Sequence, residues 1–522
     1  MLPSPTLLHI AHPEGDLPVA VPVGHGDTFP IHTAGGVFHV RYDPDERVSA
    51  TGGAVPFAQF LQASRLFVDW VSQAPLSYAS NRAHEVQEVL GTLLLSILNG
   101  HYRFAHVAAL RGDTVTPSLL GMRHMVSEDS VRNALKRMVE NGDSSALTMA
   151  WLRRYLRTTL EPLLAKPWVL DVDVTVKPVY GRQPGSVVGY NPMKPGRPSH
   201  ALHSFVMAQT RLVLDVVVHP GNEHTSKSTL PDFQALLVDL PRTLWPALVR
   251  GDCGFGTEDM MAWPEAHGID YLFKQRMTTR TRALVRELDL ADGWVDAGQR
   301  WQGKSATLKL STWTRERRVV VLRRPVPRPR YARAAKSERT APKERQEIID
   351  AILPQLIEDD FEYQVLVTTL TEDIPAIAQC YRDRADAENV FDEIKNHWGW
   401  GGFTSRTFEV TKTVARITAL IYNWWSIYVR IADPNHHREA ITSRPALLHS
   451  VVRLTTSGGR RTLTVTSTNG NKGAISAFFV NLGRWLNQFT ANAEQWTSQR
   501  RWGALLEAIF AGPLGVMRPS TA

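Results

Sequence analysis

Cysteine is scarce in this 522-residue chain, with only Cys253 and Cys380 present. Two distant thiols exclude a disulfide-stapled scaffold and a thiolate zinc centre, and they fit a reducing compartment. Lysine and arginine are missing before Arg41, so the chain shows no basic opening of a secretory signal. Long apolar runs are missing too. The longest near the N-terminus, residues 89–98, spans about half a membrane. The expectation is a soluble cytoplasmic protein with no membrane partner.

What is present describes an ordinary globular protein: 43% hydrophobic and 21% charged residues. The length predicts roughly two to four domains. A net charge of +8 favours an anionic partner. Basic residues concentrate between positions 315 and 345, where twelve Lys/Arg face three Glu. That run could clamp a duplex through phosphate contacts, or it could be a solvated linker.

Along the chain, residues 1–36 are rich in Pro and Gly and read as a loosely ordered lead-in. Residues 37–165 read as a helical region, with helical periodicity from Phe57 to Leu160. In the stretch after Ser127, Val131, Leu135 and Met138 make an inward face and leave Arg132, Lys136 and Arg137 outside, with Arg153, Arg154 and Arg157 on the next helix. This is either a helix-turn-helix reader of a major groove or a bundle with a basic face. At Trp168 the period changes to 2. Leu170, Val172, Val174 and Val176 alternate with Asp171, Asp173, Thr175 and Lys177, which predicts a strand with two aspartates on one face. Such neighbours repel each other and are poor strand formers, so a cation is a natural reason to keep them.

A Gly/Pro loop with Arg182, Lys194 and Arg197 follows, then two strand-like runs joined by a tight turn, then a helix. The next short apolar strand ends in Arg250-Gly251-Asp252, placing Asp252 at a strand's C-terminal end, the edge where open α/β sheets carry their ligand sites. With the strand that follows, residues 166–276 form the first part of a core. Residues 277–360 read as a β-rich basic insertion with strands near 306–310 and 319–322 and a short helix near 344–357. Residues 361–430 return to the core, and 431–522 are mainly helical apart from a Gly/Thr/Asn-rich loop near 457–473. His200, His203, His436 and His437 have no thiolate partners and are read as structural. Trp398 and Trp400 are read first as core or turn anchors, with stacking on a displaced base as the alternative.

Residues 381–395 organise the rest. On one α-helix Tyr381, Arg384, Glu388 and Lys395 fall at roughly 0°, 300°, 340° and 320°, a stripe about 60° wide. A phenol, a guanidinium, a carboxylate and an ammonium on one face suit a site where a carboxylate holds a metal and cations hold phosphate.

The spacing Y-x2-R-x3-E-x6-K, together with DVDVTVKPVYG, GYNPMKPGRPSH and RGDCGFG, resembles the DDE transposases of insertion-sequence group four and their group-1380 relatives. The resemblance covers roughly residues 85–430. It implies an α/β fold: a ribonuclease-H-like catalytic core interrupted by the insertion, preceded by an α-helical DNA-binding region and followed by a helical C-terminal region. Asp173, Asp252 and Glu388 become the candidate catalytic residues and metal ligands. Asp171 competes for the first position, and Asp392 and Glu393 for the third. Carboxylates suit two Mg²⁺ ions, with Mn²⁺ as a substitute. Tyr381, Arg384, Lys395, Arg197, Lys194, Arg132 and Lys136 become candidate DNA contacts. Expected partners are double-stranded DNA, as inverted-repeat ends and target, and a second copy of the chain near the bacterial nucleoid. The expected activity is cut-and-paste transposition. Alternatives are a nuclease that cuts without joining, and a catalytically silent DNA-binding descendant.

Overall fold

The computed structural model describes residues 28–326 and 361–510, except 44, 81, 192, 193, 224 and 404. The basic Pro-rich stretch after position 326 and the helix expected near 344–357 lie outside the described residues.

The chain forms a mixed α/β structure around one large sheet. Three short strands come first: β1 (Phe29–Thr33), β2 (Gly36–Val40) and β3 (Val48–Ser49). β1 and β2 pair as a hairpin, so the lead-in is ordered at its end. The alternation of FPIHT and GVFHV and the left-handed Gly36 (φ 107°) at the turn explain why.

The large sheet contains β4 (Val169–Pro178), β5 (Val187–Val188), β6 (Pro198–Met207), β7 (Leu212–Pro220), β8 (Leu248–Gly251) and β9 (Asp270–Lys274). It continues through β10 (Val295–Gly298), β11 (Trp301–Leu308), β12 (Arg317–Pro325) and β13 (Phe361–Thr368). The order is β10-β11-β12-β13-β9-β8-β4-β6-β5, with β7 also paired to β6. β4, β8 and β9 run parallel, and the flanking pairs run antiparallel. The expected insertion therefore extends the central sheet. Its strands β11 and β12 are Val- and Leu-rich and pair through β13 with β9.

The N-terminal helices share the sheet's hydrophobic core. The helix Phe408–Ala432 has no Gly or Pro and is buried along most of its length. Aromatic contacts join it to the N-terminal helices: Phe57 meets Trp425 at 5.4 Å and Trp70 meets Trp424 at 5.6 Å between ring centroids. Each large apolar side chain buried this way stabilises by about 1.5–3 kcal/mol. The helix Gly142–Leu160 turns Arg153 to the sheet, where it and Arg416 grip the buried Asp215 at 3.3 and 2.7 Å. Part of the basic face read from the sequence is thus turned to a buried carboxylate. Among the described residues no helix is long and apolar enough to cross a membrane.

The C-terminal loop near 457–473 is in large part a hairpin of β14 (Val451–Ser457) and β15 (Arg460–Thr466). Gly458 and Gly459, both with positive φ, make the two-residue turn that strand twist favours.

Candidate active site

Asp173 and Asp252 are brought together by strand register. β4 and β8 are parallel with Val172 opposite Gly251. One residue further, where β8 has ended, Asp252 comes close enough for its charge to bear on the Asp173 carboxyl. Gly251 just before Asp252 leaves room for the Phe255 ring, which a Cβ there would meet at 2.7 Å. Asp252 also caps the following turn by accepting from Gly254 N–H at 2.8 Å.

The third carboxylate arrives on a helix that differs from the expected one. The segment is two helices, Ile374–Arg382 and Ala385–His397, broken at Asp383 and Arg384. Amides 384 and 386 bond back three residues, to Tyr381 and Asp383, and tighten the joint. The single stripe is therefore interrupted, yet Tyr381, Arg384 and Glu388 still meet. Lys395 lies two turns beyond and joins none of their described contacts.

Arg384 is the hub. Its side chain is 4% exposed; it bonds Glu388 at 2.6 Å and lies 3.4 Å from Asp173. Burial pulls this guanidinium down, but the charges of Asp173, Tyr381, Asp171 and Asp252 outweigh it and leave its pKa raised. Burial pushes the Asp173 carboxyl up to about 6, opposed by Arg384 and reinforced by Asp252 and Glu388. Tyr381 lies within reach of the same charges, and burial raises its hydroxyl well above the ordinary value. The arginine fork that the sequence assigns to phosphate faces carboxylates here.

The competing carboxylates are otherwise engaged. Asp171 receives both prongs of buried Arg250 at 2.7 Å. Glu393 is buried and accepts from Trp398, His437 and the Ala440 amide. Asp392 is exposed and holds Asn396. Trp398 and Trp400 are buried, the latter donating to the Ala415 carbonyl, so both belong to the core.

A cleft of ≈ 300 Å³ opens beside Glu388, lined by Tyr381 and Arg384 on one side and by Trp301, Arg324 and Gln364 on the other. Trp301 and Gln364 carry no local sequence signal, and Arg324 is read from sequence only as part of the basic run; the pairing of β11–β13 brings all three near. Lys177, further along the Asp173 face, is buried, donates to the Gly402 carbonyl and is brought down by burial to about 8.

The other expected contacts stand apart from the carboxylates. Lys194 and Arg197 lie 4.6 and 4.9 Å over the exposed Tyr180 ring. Arg132 covers Phe104 at 4.7 Å, and with Lys136 and Arg406 it lines a cleft of ≈ 290 Å³.

A family model described as the group 1 transposase DDE domain matches residues 40–485. The chain belongs to the DDE transposase family. No curated protein matches it. A solved cryo-EM structure, the piggyBac transposase synaptic complex with hairpin DNA, aligns over 88% of this chain and 86% of that one. Identity is 11% and the TM-score 0.37, too distant a likeness to transfer any residue. DDE transposases generally use divalent metal ions. The all-oxygen set of Asp173, Asp252 and Glu388 suits a hard cation, and a cation, Arg384, already bridges two of its members. The three carboxylates do not close to within 4.8 Å of one another as two other side-chain groups do among the described residues; Arg384 lies between Asp173 and Glu388.

Proposed function

We propose that this chain is the transposase of a bacterial insertion sequence, of the group marked by the Y-R-E-K signature, acting by cut-and-paste on terminal inverted repeats. The observation that carries the reading is one buried guanidinium, Arg384, surrounded by carboxylates from two strands and a helix far apart in sequence. The strand order β7-β6-β4-β8-β9, antiparallel then parallel, supports a ribonuclease-H-like core.

Asp173, Asp252 and Glu388 would hold two Mg²⁺ ions, or Mn²⁺ in their place, with Asp173 as the shared ligand. Such a pair, when bound, supplies an activated nucleophile and stabilises the leaving oxygen. Arg384 holds Asp173 and Glu388 in position, and once released it offers a planar fork to a phosphate. Tyr381 shapes the wall of the adjoining cleft. Asp252, tied to the turn after β8, is pre-positioned by the backbone. Lys194, Arg197, Arg132, Lys136 and Lys395 bind duplex phosphates, contacts that weaken as salt rises. The protein acts as a homodimer on paired ends, in the cytoplasm at the nucleoid.

Labelled inverted-repeat DNA incubated with the protein and Mg²⁺ tests this. Joined products support transposition. Cut but unjoined DNA would leave a nuclease, and a mobility shift alone would leave a silent DNA-binding protein.

A further inference from the structure

His203 and His219 lie on adjacent antiparallel strands, β6 and β7, where Ala201 faces His219 and His203 faces Val217. They are diagonal neighbours on one face, with ring centroids 4.5 Å apart. Asp232, on the helix Thr225–Val238, reaches down to both, with Oδ2 2.6 Å from His219 Nε2 and 3.7 Å from His203 Nδ1. One ligand atom from each of the three lies within 4.8 Å of the others. Asp173 is opposite Ser204 on β6. Because side chains alternate along a strand, His203 faces away from Asp173. This group is therefore separate from the candidate active site.

Two more observations point to a ligand. His203 is fully buried, and its Nε2 has no hydrogen-bond partner among the described residues. A buried polar atom left this way is costly. Its other nitrogen, Nδ1, is paired with the Thr229 hydroxyl at 2.8 Å. Supporting bonds of that kind orient metal-bound imidazoles. His219 is gripped likewise, its Nδ1 3.3 Å from Glu223 while Nε2 faces Asp232.

We propose that His203, His219 and Asp232 form a transition-metal site of the zinc class that pins the helix Thr225–Val238 to β6 and β7. Two imidazoles and a carboxylate are a common zinc donor set, leaving a fourth position for water or Glu223. Zn²⁺ with bonds of about 2.0–2.2 Å needs ligand atoms a little over 3 Å apart. Asp232 Oδ2 and His219 Nε2, now 2.6 Å apart, open to that spacing on binding. Binding replaces the hydrogen bond between His219 and Asp232. By contrast, Glu88, in the group with His84 and His124, is already held by Arg123 at 2.8 Å.

The test uses the full chain, stripped with a chelator and titrated with Zn²⁺ alone. Metal content, competition with a chromophoric chelator and thermal melting are read together. One tight equivalent is expected, raising the melting temperature. It survives in D173N and is weakened in H219Q and D232N by more than the roughly 10–100-fold typical of losing a supporting partner. Co²⁺ in the wild-type protein should give the visible bands of a four-coordinate site, a readout that needs no variant to fold. No tight equivalent, or one that H219Q and D232N both retain, overturns the proposal. Loss of the equivalent in D173N instead would assign the metal to the other face of the sheet.

Discussion

Asp171 and Asp173 sit two residues apart on the same face of β4, and each meets an arginine. The likeness ends there. Asp171 is 1% exposed and bound by both prongs of Arg250, itself fully buried on the neighbouring strand. Asp173 is 21% exposed, meets a single prong of Arg384 at 3.4 Å, and shares that arginine with Glu388. The first pair is closed and replaces solvent; the second is open and exchangeable. A bidentate buried pair fixes structure, whereas a loosely held carboxylate among other carboxylates can take a different cation.

The comparison breaks most visibly in activity. D173N, D252N and E388Q should each abolish cleavage of inverted-repeat DNA while retaining the wild-type circular dichroism. Measurable cutting by any of them removes that residue from the site.

Next comes stability. D171N leaves Arg250 buried without its partner and should cost about 3–5 kcal/mol in urea unfolding. A double change to apolar residues, D171L with R250M, should recover most of the loss. Equal costs for D171N and D173N would erase the distinction between the two pairs.

Asp173 should respond to pH in the opposite sense to a stabilising carboxylate. Folding raises its pKa to about 6, so the native state binds the extra proton between the ordinary value near 4 and pH 6. Stability from this group falls as pH rises through that window. D173N should therefore melt higher than wild type at pH 8 in chelator, with the gain gone by pH 4. For the same reason Mn²⁺ affinity should fall about tenfold per unit below pH 6, because the ligand must lose its proton. Calorimetric titration at pH 5 and 7 measures this smallest effect.

Much of this was legible in local pattern. The alternation from Trp168 fixed β4, and the apolar run ending in Arg250-Gly251-Asp252 fixed β8. The convergence of Asp173 and Asp252 depends on parallel pairing across 79 residues, which no local period encodes. The helix stripe placed Glu388 near Arg384 but hid the break at Asp383 and Arg384, because every residue there is compatible with a continuous helix. It also gave Lys395 company it does not keep. The C-terminal hairpin was readable, since Gly458-Gly459 between alternating strands is a turn signal, but its Thr and Asn richness resembled a loop. His203 was set aside as structural because its neighbours in space, His219 and Asp232, come from the next strand and a crossing helix. The basic helix face lost Arg153 to Asp215, a partner no helical wheel contains.

Manganese anomalous diffraction from crystals of the protein tests the central claim most directly. The account predicts a peak shared by Asp173 and Asp252, with Glu388 as a further ligand and Arg384 withdrawn from between them. Manganese held by only one of these carboxylates, with Arg384 still bridging Asp173 and Glu388, would contradict it.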